Sequence, residues 1–326
     1  MATDIFNRMK RKIGVLRGGP SAEYDISLMT GGNVLRNMPD KYEAVDVFIS
    51  KDGEWHIGGI AKAPQKILKQ FDMAFNALHG RYGEDGGVQS ILETFGMPYT
   101  GSGRLSCVSA LNKCLAKKIL SSADVLIPEH IILRSEEVSP EFLSVIFDEF
   151  PHPLVVKPTF GGSSLGVEVA DDLETFKQAI SNALVYGDSA IIEEYIVGKE
   201  ATCGVLEGSG GLFALQPVEV ICGQGKKYFD YDSKYLQGVS ERNCPAKFSL
   251  KARRKIQDLA LKAHEVLGLK HYSSSDFIIH PNRGIYLIEV DALPDLTHQS
   301  PYPQALSSAG ISTPDFIDHV LTLAGR

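Results

Sequence analysis

In the first hundred residues, short apolar runs alternate with apolar positions at helical spacing. Residues 12–16, 42–49 and 73–78 read as three strands. Ser27 is placed to cap a helix running to Leu35, with Leu28, Val34 and Leu35 on one face. A further helix, 88–95, follows the loop His79-Gly80-Arg81-Tyr82-Gly83-Glu84-Asp85-Gly86-Gly87. Strands alternating with helices predict a parallel sheet whose ligands gather beyond the carboxyl ends of its strands. Glu23, His79 and Glu84 all fall in such loops.

The pattern then changes. Gly101-Ser102-Gly103 is the expected end of the first domain, 1–103, in which 1–11 is a polar, disordered tail. A central domain over 104–189 is predicted to hold a helix at 109–123, a strand at 128–133, a helix at 140–147, a strand from Leu154 and a helix at 173–184. The last domain, 190–326, opens on the strand 190–196, whose apolar run is interrupted by Glu193 and Glu194. Carboxylates in such a run need partners. A helix at 250–267 and strands at 275–279 and 285–290 follow, the two strands joined by the turn Pro281-Asn282-Arg283-Gly284. The fold class is mixed, α/β followed by α+β.

Composition narrows the function classes. The chain has 326 residues, 44% hydrophobic and 22% charged, which is ordinary for a globular enzyme. Its net charge of −7 is the wrong sign for a protein that tracks nucleic-acid phosphates. No apolar run reaches the ~18 residues of a membrane span, and the polar N-terminus has no secretory core. Cys107, Cys114, Cys203, Cys222 and Cys244 contain no paired spacing, so reduced thiols in the cytoplasm are expected.

Chemistry concentrates at Pro153-Leu154-Val155-Val156-Lys157-Pro158-Thr159-Phe160-Gly161-Gly162-Ser163-Ser164-Leu165-Gly166-Val167. A lysine closes an apolar strand, and a loop of glycines and serines follows. Glycines let backbone N–H groups approach an anion closely. No glycine-lysine-Ser/Thr closes the loop, so a triphosphate site here is not a Walker loop. Near the C-terminus, the hairpin can gather Asp276, Glu289 and Asp291. Residues two apart on a strand share a face. Three carboxylates repel unless a cation sits among them, and oxygen ligands suit Mg²⁺ or Mn²⁺. The residues thus point to ATP-dependent transfer to a small molecule.

Seven stretches, GGPSAEYDISL, LHGRYGEDGGVQSILE, MPYTGSG, VVKPTFGGSSLGV, IIEEYIVGKE, YFDYDSKY and LIEVDALPDLTHQS, in this order, resemble the D-alanine–D-alanine ligases of the ATP-grasp superfamily. The resemblance covers nearly the whole chain. It implies a three-domain fold and ligation of two D-alanines through an acylphosphate, for peptidoglycan precursor synthesis. It implies Lys113 and Lys157 on ATP phosphates beside Ser163 and Ser164, Glu193 at the adenine hinge and Glu200 on the ribose. Glu23 would hold the first D-alanine's ammonium, and Ser163 and Tyr235 would join it in closing a loop over the site. His79 would lie near the amino-acid pocket, Lys234 and Ser300 on the second carboxylate, and Asp276, Glu289 and Asp291 on the metal. A homodimer through the N-terminal domain is a further implication.

Three positions depart from the family pattern. Ser274 stands where the family has arginine, Asp295 where it has glycine, and Asp291 where it has asparagine. The resemblance implies that the family's arginine and glycine form the oxyanion hole, where losing one donor typically costs a factor of ~10²–10³ in kcat. Arg242 is the candidate substitute cation. Alternatives at this stage are a ligase for a different amino acid or amine, or a nucleotide-binding homologue with weak or no catalysis. Restoring Arg at 274 together with Gly at 295 is expected to raise turnover.

Overall fold

The computed structural model describes residues 10–162, 164–222 and 240–326. The tail, Ser163 and the loop carrying Lys234 and Tyr235 therefore fall wholly or largely outside the described residues; of the tail, Arg11 is already in the first strand.

The N-terminal sheet is built on β1 (Arg11–Gly18), with β2 (Tyr42–Ile49) and β5 (Met73–Asn76) parallel on either side. Short antiparallel strands β3 (Trp55–Ile57) and β4 (Ile60–Ala61) extend it beyond β2. Around it lie α1 (Tyr24–Arg36), α2 (Pro64–Leu68) and α3 (Gly87–Thr94). α1 begins at Tyr24, so Ser27 is inside the helix and does not cap it. Instead its hydroxyl accepts from the Gly18 N–H and donates to the Ala77 carbonyl, both at 2.8 Å. That pins the ends of β1 and β5 together and aligns the two loops that follow them. Gly80, at φ 66°, lies in the second loop; a Cβ there would sit 2.6 Å from a Glu23 carboxylate oxygen.

The expected helix at 109–123 is two helices, α4 (Arg104–Leu111) and α5 (Lys113–Ser122). Asn112 between them leaves helical geometry, and its side chain accepts from the Leu115 N–H. Asparagine competes for backbone donors in this way, so it caps where apolar spacing alone would continue the helix.

The second sheet has the order β6-β9-β7-β8: β6 (His130–Arg134), β7 (Leu154–Pro158), β8 (Glu168–Ala170) and β9 (Ser189–Glu194), all pairs antiparallel. α6 (Pro140–Glu149) and α7 (Leu173–Leu184) pack on it around Phe176, Ile180 and Leu154. The domain division expected at 190 thus cuts through β9, an interior strand of this sheet. The expected start at 104 is also corrected, because Cys107, Ala110, Ala116 and Leu120 of α4 and α5 share a core with the third sheet.

That third sheet runs β13-β12-β10-β14-β15, with β11 also on β10. Its strands are β10 (Lys199–Gly208), β11 (Gly211–Ala214), β12 (Val218–Cys222), β13 (Ser240–Asn243), β14 (Tyr272–His280) and β15 (Gly284–Asp291). α8 (Leu250–Val266) covers its back, while α9 (Pro301–Ser308) and α10 (Thr313–Ala324) join it to the N-terminal sheet through Tyr302, Phe316 and Ile317. Alternation along the strands sends Ala201, Cys203, Val205, Phe277 and Val290 into the back core. The opposite face, toward the second sheet, keeps the polar residues.

Candidate active site between two antiparallel sheets

The register of one hairpin assembles the acidic cluster. Asp276 pairs with Glu289 and Ser274 with Asp291, but Phe277 pairs with Leu287, so a bulge leaves Ile288 over. The bulge keeps Asp276, Glu289 and Asp291 on the face opposite the core. Their ligand oxygens lie within 4.8 Å of one another. An oxygen-only set of this size fits a hard divalent cation. Thr202 of β10 donates to Asp276 at 2.7 Å and fixes that carboxylate.

Across the cleft, Lys157 at the end of β7 meets Glu193 of β9 at 2.9 Å, and Lys117 of α5 reaches the other Glu193 oxygen at 2.9 Å. All three side chains are buried. Burial alone would raise the Glu193 carboxyl, but Lys117 and Lys157 outweigh it and hold it at about 2. Burial pushes the Lys117 ammonium below its usual value, and Glu193 opposes that. The Glu193 carboxylate is thus engaged by two lysines, one of which it aims into the cleft. Sequence reasoning gave Lys117 no role. Its signal was the four-residue spacing from Lys113, which puts both on one helix face.

The cleft has walls of two kinds. Val155, Val167, Val169, Val220 and Ile278 line it together with Lys157, Ser164, Glu200, Asp276 and Glu289. Apolar and charged walls in one cleft suit a nucleotide, which has an apolar base and charged phosphates. Ser164 takes the left-handed φ of 57°, a strain that recurs at ligand-binding loops. Lys113 spans the two sides, donating to the Gly161 carbonyl at 2.6 Å and standing 3.3 Å from Glu289.

A second cavity is walled by Glu23, His79, Glu84, Lys113, Gly162 and Asp291. The Gly162 N–H donates to Glu23 at 3.2 Å, tying the glycine loop to the N-terminal domain. Glu84 accepts from the Gly80 N–H at 2.7 Å. Burial, then the negative charges of Glu23 and Asp291, push the Glu84 carboxyl well above the usual carboxylate range. Sequence reasoning placed Glu84 in the loop without giving it a role.

A third cavity holds Ser274, Arg242, Asp295 and Ser300. The Asp295 carboxylate faces its own turn. It accepts from Thr30 Oγ1 at 2.9 Å, the Thr297 N–H at 2.7 Å, Thr297 Oγ1 at 3.0 Å and Ser300 Oγ at 2.5 Å. Thr30 has one proton and gives it to Asp295, so at their 3.0 Å contact His79 Nε2 is the donor. Ser300, expected on a substrate carboxylate, directs its proton to Asp295 instead.

Asp276 lines the first and third cavities, Glu289 the first and second, and Asp291 the second and third. A cleft between two antiparallel sheets, walled by Lys157 and joined by an acidic cluster to two small polar cavities, has the parts that an ATP-dependent ligase of the ATP-grasp fold needs. Residues 119–322 match the model described as D-ala D-ala ligase C-terminus, and 12–67 and 58–102 the one described as D-ala D-ala ligase N-terminus. The D-alanine--D-alanine ligase of Geobacter sulfurreducens is 36% identical over 318 residues, 96% of this chain and 94% of its own. That of Syntrophobacter fumaroxidans is 36% identical over 315 residues, 97% of this chain and 98% of its own. The VanG D-Ala:D-Ser ligase of Enterococcus faecalis superposes with a TM-score of 0.81 at 28% identity, covering 97% of this chain and 100% of its own. The D-alanine-D-alanine ligase of Coxiella burnetii shares the fold, with a TM-score of 0.82 at 23% identity, covering 97% of this chain and 94% of its own. The chain belongs to the D-alanine–D-alanine ligase family. Among the described residues no helix is long and apolar enough to cross a membrane.

Proposed function

We propose that the chain joins two D-alanine molecules into D-alanyl-D-alanine, driven by ATP, as a cytoplasmic step of peptidoglycan precursor synthesis. The observation that carries this reading is the acidic cluster's position at the junction of three cavities. Ligation needs that plan: a nucleotide, a carboxylate donor and an amine acceptor must meet at one point. The family relationship favours this function over a ligase for another pair and over a non-catalytic homologue.

In this reading Lys157 and Lys113 hold the terminal phosphates, Ser164 and Gly162 lie along them, and Glu200 takes the ribose. Asp276, Glu289 and Asp291 hold Mg²⁺ or Mn²⁺, which when bound supplies positive charge to the phosphoryl oxygens. Glu23 takes the first D-alanine's ammonium and leaves its carboxylate facing the phosphates, with His79 fixed beside it by Thr30. The carboxylate oxygen attacks the γ-phosphorus, and the bond from that phosphorus to the bridging oxygen of ADP breaks. The second molecule's amine then attacks the acyl carbon. The C–N bond forms, the C–O bond to phosphate breaks with its electron pair leaving on phosphate, and the amine gives up a proton. Water must be excluded while the acylphosphate exists; Ser163 and Tyr235, outside the described residues, are assigned to that closure by resemblance alone, and Lys234, also outside them, to the second molecule's carboxylate. A homodimer through the N-terminal domain belongs to the same proposal.

Phosphate release from ATP tests it. Release with D-alanine, and with it a dipeptide, is expected; release only with other amino acids, or none, contradicts the proposal. Chelation with EDTA is expected to stop release, and added Mg²⁺ or Mn²⁺ to restore it. Continued turnover without a divalent cation removes the role given to the acidic cluster.

A further inference from the structure

We infer that His79 takes the proton that the acceptor amine gives up, and that Thr30 and Asp295 are the positioning residues that make it a base. The inference rests on the ligase reading and deepens it. Family resemblance places His79 near the amino-acid pocket without giving it any chemistry, and it puts a glycine, not a carboxylate, at position 295.

Three elements meet in this relay. His79 lies in the loop after β5, Thr30 in α1 and Asp295 in the turn after β15. His79 and Thr30 are buried. Thr30 Oγ1 donates to Asp295 at 2.9 Å and accepts from His79 Nε2 at 3.0 Å. A neutral imidazole carries one N–H. With that hydrogen on Nε2, Nδ1 keeps its lone pair, and Nδ1 has no hydrogen-bond partner among the described residues. His79 also walls the second cavity. A base whose far nitrogen is held by a group ending on a carboxylate is the arrangement that activates a nucleophile; here a hydroxyl stands between imidazole and carboxylate.

The relay stands where the proton is lost. Asp295 and Asp291 each line both the second and the third cavity, the donor's and the acceptor's in the ligase reading. The acyl carbon and the amine meet where those cavities join, and two hydrogen bonds lead from Asp295 back to His79. The other titratable groups on the second cavity's wall are committed elsewhere. Lys113 has protons to give, and Glu84 accepts from the N–H groups of Gly80 and Leu293. In the ligase reading Glu23 takes the donor's ammonium, and Glu289 and Asp291 take the cation. The acceptor amine attacks in its neutral form. As the C–N bond forms, one amine N–H bond breaks; its electron pair stays on nitrogen and its proton goes to Nδ1, giving an imidazolium. Asp295 compensates that charge through Thr30, and the proton returns to solvent when the products leave.

The test separates the two half-reactions. His79→Ala is expected to slow dipeptide formation about 10²–10⁴-fold at saturating substrate, the usual contribution of a general base. The donor step, followed by oxygen scrambling in ATP with D-alanine too dilute to fill the acceptor site, should fall at least about tenfold less. Imidazole added to His79→Ala supplies a mobile base and is expected to recover at least about tenfold in dipeptide formation. Thr30→Val breaks the relay and keeps the side chain's shape; dipeptide formation should fall about 10–100-fold, and at least about fivefold less in Thr30→Ser, which keeps the hydroxyl. The two Thr30 variants report if His79→Ala fails to fold. A purely structural role would slow both half-reactions together and gain nothing from imidazole. That result, or unchanged dipeptide formation in His79→Ala, overturns the inference while wild type still releases phosphate with D-alanine. Equal rates in Thr30→Val and Thr30→Ser overturn it when the alanine variant does not fold. A wild-type protein silent with D-alanine overturns the ligase reading and this inference with it.

Discussion

Glu193→Gln is expected to destabilise the protein by about 3–5 kcal/mol, the usual cost of removing one partner from a buried ion pair. The carboxylate is shared by Lys117 and Lys157, both buried, and each Nζ is 2.9 Å from it. A glutamine leaves Lys117 charged in an apolar setting or forces it to give up its proton. Lys157 loses the group that aims it at the cleft, so nucleotide affinity falls as well. Urea unfolding, with and without ATP, measures both. The double variant Glu193→Gln with Lys117→Met should be less destabilised than Glu193→Gln alone, because the stranded charge is gone. The sign of the pH dependence follows from Glu193's depressed value. Its contribution is fully present above the ordinary glutamate range, ~4.3, and is lost as pH falls through about 2. Wild type should therefore keep this contribution at pH 5, and Glu193→Gln should show no such loss on further acidification.

Asp295→Gly is expected to lower turnover by about tenfold or more, although glycine is the family's residue at that position. The Asp295 carboxylate accepts from Thr30, Thr297 and Ser300, and a hydrogen bond to a charged group contributes about 1.5–3 kcal/mol. Thr30 belongs to the N-terminal domain, and Asn33 of the same helix donates to the Leu296 carbonyl at 2.7 Å. The turn at 295–297 therefore joins two domains at the edge of the reacting centre. Glycine would loosen that joint and release Ser300 and Thr30, and with Thr30 the fixed orientation of His79. Steady-state kinetics on Asp295→Gly, alone and with Ser274→Arg, decides between the two views. A gain in turnover for the pair would show that the departures at 274 and 295 are defects; a loss shows that Asp295 has become part of the frame.

What was legible in the sequence was local or periodic. The Asp276, Glu289 and Asp291 spacing around a clear turn gave the hairpin and its shared face, and the lysine before the glycine loop gave one wall of the cleft. What escaped was set by distance or by single side chains. Glu193 sits two strands' pairing from anything its own segment reveals, so neither its place inside the second sheet nor its bonds to Lys117 and Lys157 could be read from 190–196. Asn112 split a helix that apolar spacing joined. The bulge at Asp276 and Phe277 has no signature in composition, yet it sets which carboxylates face the cleft. Asp295 could be read only as a departure from glycine, because its partner Thr30 lies 265 residues away.

The central claim is that a D-alanine carboxylate takes the terminal phosphoryl group of ATP beside the acidic cluster before any peptide bond forms. Incubating the protein with ATP, Mg²⁺ and D-alanine labelled with ¹⁸O in its carboxyl group, then weighing the released phosphate, tests this directly. One labelled oxygen per phosphate, in step with dipeptide, is the predicted result; unlabelled phosphate accompanying dipeptide would contradict it.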